Sequence, residues 1–212
     1  KTINIKTSDL LLQPSLVDMS VERMYPPTRN LASASHTISG QAYGNGVYET
    51  WESSVYTDPT NNYDAFTAFN TTNTAGYNAL PNEYNGATYN STNYIVNDYL
   101  GDWIKIKLPV YINLTKYALK KRPSWGGRAP KDYRIYGSND NNTWTILEDK
   151  SGANAITSSD YNSSYLYETS VSTTGEYQYF AIVCNELIGA GNMLNFDEWY
   201  IYGKENFTTA DG

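Results

Sequence analysis

The sequence predicts an all-β domain, a sandwich or barrel of many short strands, and three observations carry that prediction. Runs such as "GDWIKIKL" (residues 101–108) alternate apolar and polar residues, the period of a half-buried strand. Clusters of Gly, Asn, Asp and Ser separate these runs at short intervals and supply turn chemistry. No amphipathic helical period persists for three turns, and no internal repeat is visible. Composition points the same way: 21 Tyr and 5 Trp against 5 Phe, with much Thr, favours strands, and abundant Asn favours turns.

Residues 1–30 hold one short alternating run, "INIK", and are then broken by Pro14, Pro26 and Pro27, which reads as a lead-in or linker. The folded domain is expected over residues 31–203, with 204–212 as a tail. "HTISGQAYGNGVYETWESS" reads as a hairpin around Gly44, Asn45 and Gly46. Residues 57–93 have little alternation and many Asn, Thr, Tyr and Gly. A loop this long is functional or disordered, and Tyr63, Tyr77, Tyr84 and Tyr89 favour an ordered loop packed on the sandwich. In "GDWIKIKL", Ile104, Ile106 and Leu108 share one face and Trp103, Lys105 and Lys107 the other. "KDYRIYGSNDNNTWTIL" is a second hairpin whose wet tip, residues 138–142, reads as a structural turn, with Trp144 resuming a strand and expected in the core. "YQYFAIVC" and "NFDEWYIYG" close the domain, and Cys184 reads as an inert core thiol.

With 212 residues the chain can bury a core without disulfides, and its single Cys permits none internally. A net charge of −7 argues against nucleic acid and anionic membrane surfaces. A basic cluster at Lys120, Lys121, Arg122, Arg128 and Lys131 reads as a solvated strand end. No apolar run approaches the roughly 20 residues of a membrane span, so no membrane insertion is expected. The first residue is Lys rather than Met, and the chain is expected to be a piece of a larger or multimeric protein.

Four segments, "AFNTTNTAGY" (68–77), "GDWIKIKLP" (101–109), "YALKKRPSWGGRAPKDYRIYGSNDNNTW" (117–144) and "FDEWYIYG" (196–203), resemble in this order the coagulation factor V/VIII type C, or discoidin-like, family. Many bacterial carbohydrate-binding modules belong to it. The opening "YPPTRNLASASHTISGQAYGNGVY" is similar to the version in surface proteins of large algal DNA viruses. The resemblance implies an antiparallel jelly-roll β-sandwich of about eight strands whose end loops bind. It also implies a structural calcium ion near Asn70, Thr74 and Glu198, although Asn70 stands where the pattern usually has Asp and Thr71 where it has Gly.

Catalysis has little support: His36 is the only histidine, and no nucleophile motif accompanies it. Carbohydrate binding needs an aromatic face for the C–H side of a sugar and planar polar groups for its hydroxyls. "KKRPSWGGRAPK" offers Trp125 between Arg122 and Arg128, and Tyr77, Tyr84 and Asn192 are further candidate ligand contacts. The expected function is therefore a non-catalytic module that binds carbohydrate or glycoprotein for adhesion, displayed outside a cell or on a virion surface. Two alternatives stand beside it. One is a structural surface protein whose Tyr-rich faces pack on neighbouring subunits; the other is a phospholipid-binding discoidin domain. Asn70, Asn90, Asn113, Asn141, Asn162 and Asn206 each begin an N-glycosylation sequon, as so Asn- and Thr-rich a chain does by chance.

Overall fold

The alternation at residue 102 onward produces the longest strand of the protein. The structure is a computed structural model and describes residues 21–72 and 75–205. In chain order its strands are β1 (Arg23–Tyr25), β2 (Ser35–Ile38), β3 (Gly46–Glu52), β4 (Tyr77–Asn78), β5 (Tyr84–Asn85) and β6 (Thr88–Tyr89). There follow β7 (Asp102–Lys120), β8 (Pro130–Ser138), β9 (Thr145–Lys150), β10 (Leu166–Ser170), β11 (Tyr177–Leu187), β12 (Asn195–Phe196) and β13 (Glu198–Lys204). All pairings between them are antiparallel.

β7 builds the sandwich because it belongs to both sheets. Its first half pairs with β3 and β11, extending a sheet ordered β2–β3–β7–β11–β8–β9. Its second half pairs with β13 and β10, and β1 caps that sheet by pairing with β13. Pro109, which has no N–H for a ladder bond, falls in the register shift between the Lys107 and Ile112 pairings with β11. Ile104, Ile106 and Leu108 are fully buried, as their alternation predicts, and meet Tyr48, Tyr133, Phe180 and Trp199 in one core. Cys184 is buried there too, where desolvation raises its thiol pKa.

The folded body starts earlier than the expected boundary at Leu31. β1 pairs Arg23 with Gly203 and Tyr25 with Ile201, Tyr25 is fully buried, and Asn30 bridges Asn70. Three residues before Pro26 and Pro27 are too short a run to show a strand period, so the segment reads as linker although tertiary pairing makes it a strand. Residues 1–20, including "INIK", and the tail 206–212 lie outside the described residues.

The turn at residues 138–142 is structural. Asp140 Oδ1 accepts the N–H groups of Asn142 (2.8 Å) and Thr143 (2.7 Å), which hold its carboxyl down at about 2. Asn139 ties the turn to β11 by donating to Glu176 O (2.9 Å) and accepting from Gln178 N (3.0 Å). Trp144 corrects the expectation of a core residue. It is half-buried on the outer face of the larger sheet, where Trp51, Trp103 and Trp144 surround the Lys105 ammonium at 5.6, 4.7 and 5.8 Å. The buried tryptophan is Trp199, at 1% exposure.

Candidate binding site

The loop between β7 and β8 is stiffened by its own sequence. Pro123 opens a 3₁₀ turn over Pro123–Arg128, where its fixed φ suits a first helical position. Trp125 N donates to Arg122 O (3.2 Å) and Ala129 N to Gly126 O (3.4 Å). A second loop, following β11, is laced to it: Ile188 N donates to Ala129 O and Gly189 N to Gly127 O, both at 2.9 Å. The two backbones approach closely enough that a Cβ on Gly189 would lie 3.2 Å from the Gly127 Cα, tighter than an ordinary contact, whereas one on Gly127 would meet Gly189 at an ordinary 3.7 Å.

This lacing holds Trp125 outward, 47% exposed, with the Arg128 guanidinium over its ring at 4.1 Å. Arg128 Nη1 also lies 3.2 Å from the Met193 sulfur. Burial, and then the nearby charge of Arg122, lower the Arg128 pKa from its ordinary value. Two concavities meet at this stacked pair. One, of about 420 Å³, is lined by Gly86, Ser124, Trp125, Arg128 and Asn192. The other, of about 390 Å³, is lined by Tyr56, Asp58, Tyr63, Asn78, Arg122 and again Trp125 and Arg128. Both fall at the small end of the range for ligand pockets.

The structure thus brings together Trp125, Arg122, Arg128 and Asn192 of the candidate contacts, and excludes two. Tyr77 is fully buried and donates to Ser54 O (2.8 Å); Tyr84 is buried and donates to Cys184 O (2.8 Å). Their hydroxyls satisfy backbone carbonyls beneath the loops, so neither presents a ring to a ligand. Tyr56, Asp58, Tyr63 and Asn78 stand in the wall instead. The Thr/Asn-rich composition of residues 57–93 marks the segment as a working loop, but without alternation nothing in it tells which tyrosine faces out. Asp58 shapes this wall: its Oδ1 accepts the N–H groups of Thr60 (2.8 Å) and Asn61 (3.0 Å).

The expected calcium ligands are engaged otherwise. Glu198 is 3% exposed and paired with Arg29, itself 4% exposed. The Arg29 guanidinium also donates to Trp199 O and to Ala68 O (3.0 Å) and lies 4.2 Å from the Tyr200 ring. Asn70 donates to Leu31 O (2.8 Å) while its Oδ1 accepts from Thr72 N (3.0 Å). Thr74 lies outside the described residues. A hard cation needs several unengaged oxygens, and as placed here Glu198 and Asn70 spend theirs on Arg29 and on Thr72. Among the described residues no group of three or more His, Cys, Asp or Glu side chains is arranged to hold a metal ion.

A family model for the F5/8 type C domain matches residues 49–198, more than half of the chain. No curated protein matches the sequence. Among solved structures, the family 32 carbohydrate-binding module of Clostridium perfringens NanJ, in complex with galactose, is similar at 11% identity and a TM-score of 0.54, covering 86% of this chain and 99% of that one. The module CpGH89CBM32-5 of the same organism, in complex with GalNAc-β-1,3-galactose, is similar at 15% identity and a TM-score of 0.53, covering 73% and 94%. An F5/8 type C domain of a Bacteroides fragilis protein is similar at 15% identity and a TM-score of 0.52, covering 82% and 99%. At these identities the likeness to solved structures establishes a shared fold.

Proposed function

The chain belongs to the F5/8 type C domain family, and from that premise we propose that it is a non-catalytic module that binds carbohydrate through the loops around Trp125. One observation carries the reading. A half-exposed indole is held outward by two laced loops, with a guanidinium stacked on it and concavities on both sides. A pyranose offers an apolar C–H face to such a ring and rim hydroxyls to Arg128 and Asn192. Two similar modules were solved with galactose-containing sugars, which supports a carbohydrate ligand here. The expected setting is outside a cell or on a virion surface, as part of a longer or multimeric protein. A single small site of this kind gives affinities of about 0.1–1 mM, so useful adhesion comes from many copies.

The deciding experiment is a glycan screen at millimolar concentration read by NMR shifts. Sugar-dependent shifts around Trp125, lost in Trp125→Ala with the fold intact, support the reading. The absence of any glycan response would sink it.

A second reading has its own observation. Trp51, Trp103, Trp144 and Tyr179 form a half-buried aromatic surface around Lys105 and Lys107 on the outer face of the larger sheet. Such a face suits packing against neighbouring subunits in a surface layer. Self-association of the isolated domain that is lost in Trp51→Glu favours that role.

A further inference from the structure

The chain carries more acid than base, 22 Asp and Glu against 15 Lys and Arg, so its cations have carboxylates to spare. Most members of the basic cluster use one or are otherwise engaged. Lys120 meets Asp197 at 3.6 Å and Lys131 meets Glu186 at 2.6 Å. Lys121 lies over the rings of Tyr161 and Tyr165 at 5.0 and 5.8 Å. Two arginines elsewhere, Arg29 and Arg134, are paired with Glu198 and with Asp98 and Asp149.

Arg122 and Arg128 differ. Among the described residues neither forms an ion pair, yet they line the same concavity of about 390 Å³ and are close enough for Arg122 to depress Arg128's hold on its proton. Two like charges set side by side in a partly desolvated wall repel each other, and an anion between them relieves that repulsion. Arg128 is also pre-oriented. Its plane is fixed by stacking on Trp125 and by the contact with Met193, which suits a guanidinium fork to bidentate recognition of a planar anion.

The remaining charges around the concavity permit this. Asp197 feels Arg122 but is paired with Lys120. Asp58 lies in the same wall, and its Oδ1 is taken up by the backbone of its own turn. It places one carboxylate in the same lining as the two positive groups. A ligand with hydroxyls at one end and an anionic group at the other matches that polarity; a plain anion matches only half of it.

We propose that the concavity bounded by Arg122, Arg128 and Trp125 selects an acidic sugar, one bearing a carboxylate or sulfate, with its anionic group on the two guanidiniums and its hydroxyls toward Asp58. The inference rests on the carbohydrate reading of the same site and narrows its ligand class. Trp125 and Arg128 are shared with the second concavity of about 420 Å³, whose remaining lining of glycines, Ser124, Ala190 and Asn192 carries no charge. An adjoining neutral residue of the same glycan fits there.

The test compares galactose, galacturonate and galactose 6-sulfate by NMR titration at low salt, with wild type, Arg122→Gln and Arg128→Gln. Either acidic sugar is expected to bind about tenfold tighter than galactose, since a hydrogen bond to a charged group contributes more than a neutral one. That advantage should shrink in 0.5 M NaCl and fall to about parity in both variants, whose melting temperatures control for folding. Galacturonate and the sulfate separate a carboxylate requirement from a general anion requirement. Equal binding of galactose and both acidic sugars would overturn the inference while leaving carbohydrate binding intact, as would an acidic preference that survives both substitutions. Failure of all three sugars to bind would overturn this inference, and failure of the whole glycan screen would overturn the carbohydrate reading with it.

Discussion

Arg29 and Glu198 form a buried ion pair that joins the segment after β1 to the first residue of β13. The guanidinium does more than neutralise one carboxylate. It also donates to the carbonyls of Ala68 and Trp199, so three stretches of chain far apart in sequence converge on one side chain. This is why the segment before Leu31 belongs to the fold: without it Glu198 would be a buried carboxylate with no cation.

Arg29→Ala is therefore expected to cost about 3–5 kcal/mol, the range for removing one partner of a buried pair. Arg29→Lys should recover little of it, because an ammonium cannot reproduce the planar fork that reaches three acceptors. Urea denaturation measures both. With the guanidinium seated against Glu198, the wild-type melting temperature should be the same in calcium and in EDTA; a rise of several degrees with calcium would show that an ion binds despite it.

Asp102 supplies a pH test. It is fully buried; its Oδ1 accepts from Ser53 (2.8 Å) and Ser54 (3.0 Å), while its Oδ2 has no partner among the described residues. Burial pushes its carboxyl up to about 6 despite the serine hydrogen bonds. A raised folded pKa means the native state holds the proton more tightly than the unfolded chain. This group's contribution is full below pH 4 and is lost as pH rises through about 6, a change on the order of 2–3 kcal/mol. Melting curves from pH 4 to 7 should show stability falling, with a flatter profile in Asp102→Asn. An unchanged slope in that variant would remove Asp102 as the cause.

What the sequence revealed follows the strength of its periods. The alternation of Ile104, Ile106 and Leu108 is a direct record of a strand with one dry face, and it places the core. The loop with Trp125 was legible because Pro and Gly flank a large aromatic, a combination that strands and helices avoid. Tyr77 and Tyr84 misled because a tyrosine satisfies a buried carbonyl as readily as it faces a ligand, and a loop without a period does not say which. Trp144 misled in the opposite sense: a tryptophan at the entry to a strand can lie on the outer face, where Lys105 and a neighbouring cluster cover it. The Arg29–Glu198 pair, spanning 169 residues, leaves no local mark at all.

Tyr84 tests the corrected assignment. Tyr84→Phe removes the hydroxyl that satisfies Cys184 O, and should lower stability by about 0.5–1.5 kcal/mol. Glycan affinity should not change, since the ring is buried and the loops above keep their own backbone bonds. A variant with full stability and weakened binding would return Tyr84 to the site.

The tryptophans separate core from surface most sharply. Trp199 is 1% exposed and its ring centroid lies 5.7 Å from that of Phe69; Trp199→Ala or Trp199→Phe should be costly, about 3–5 kcal/mol for the alanine. Trp144 covers one side of an outer-face cluster with Tyr99, Tyr136, Ala181 and Val183, so its truncation should cost less than that of Trp199. Trp125→Ala removes a ring that is 47% exposed and held by a loop whose backbone bonds do not depend on it. Its melting temperature should stay closest to wild type while sugar binding is lost. The order of stability loss, Trp199 above Trp144 above Trp125, is read by denaturation of the three alanine variants, while sugar binding should be lost only in Trp125→Ala. If Trp125→Ala unfolds the protein as readily as Trp199→Ala does, the indole is a plug in the fold, and the binding site must be sought elsewhere on the sandwich.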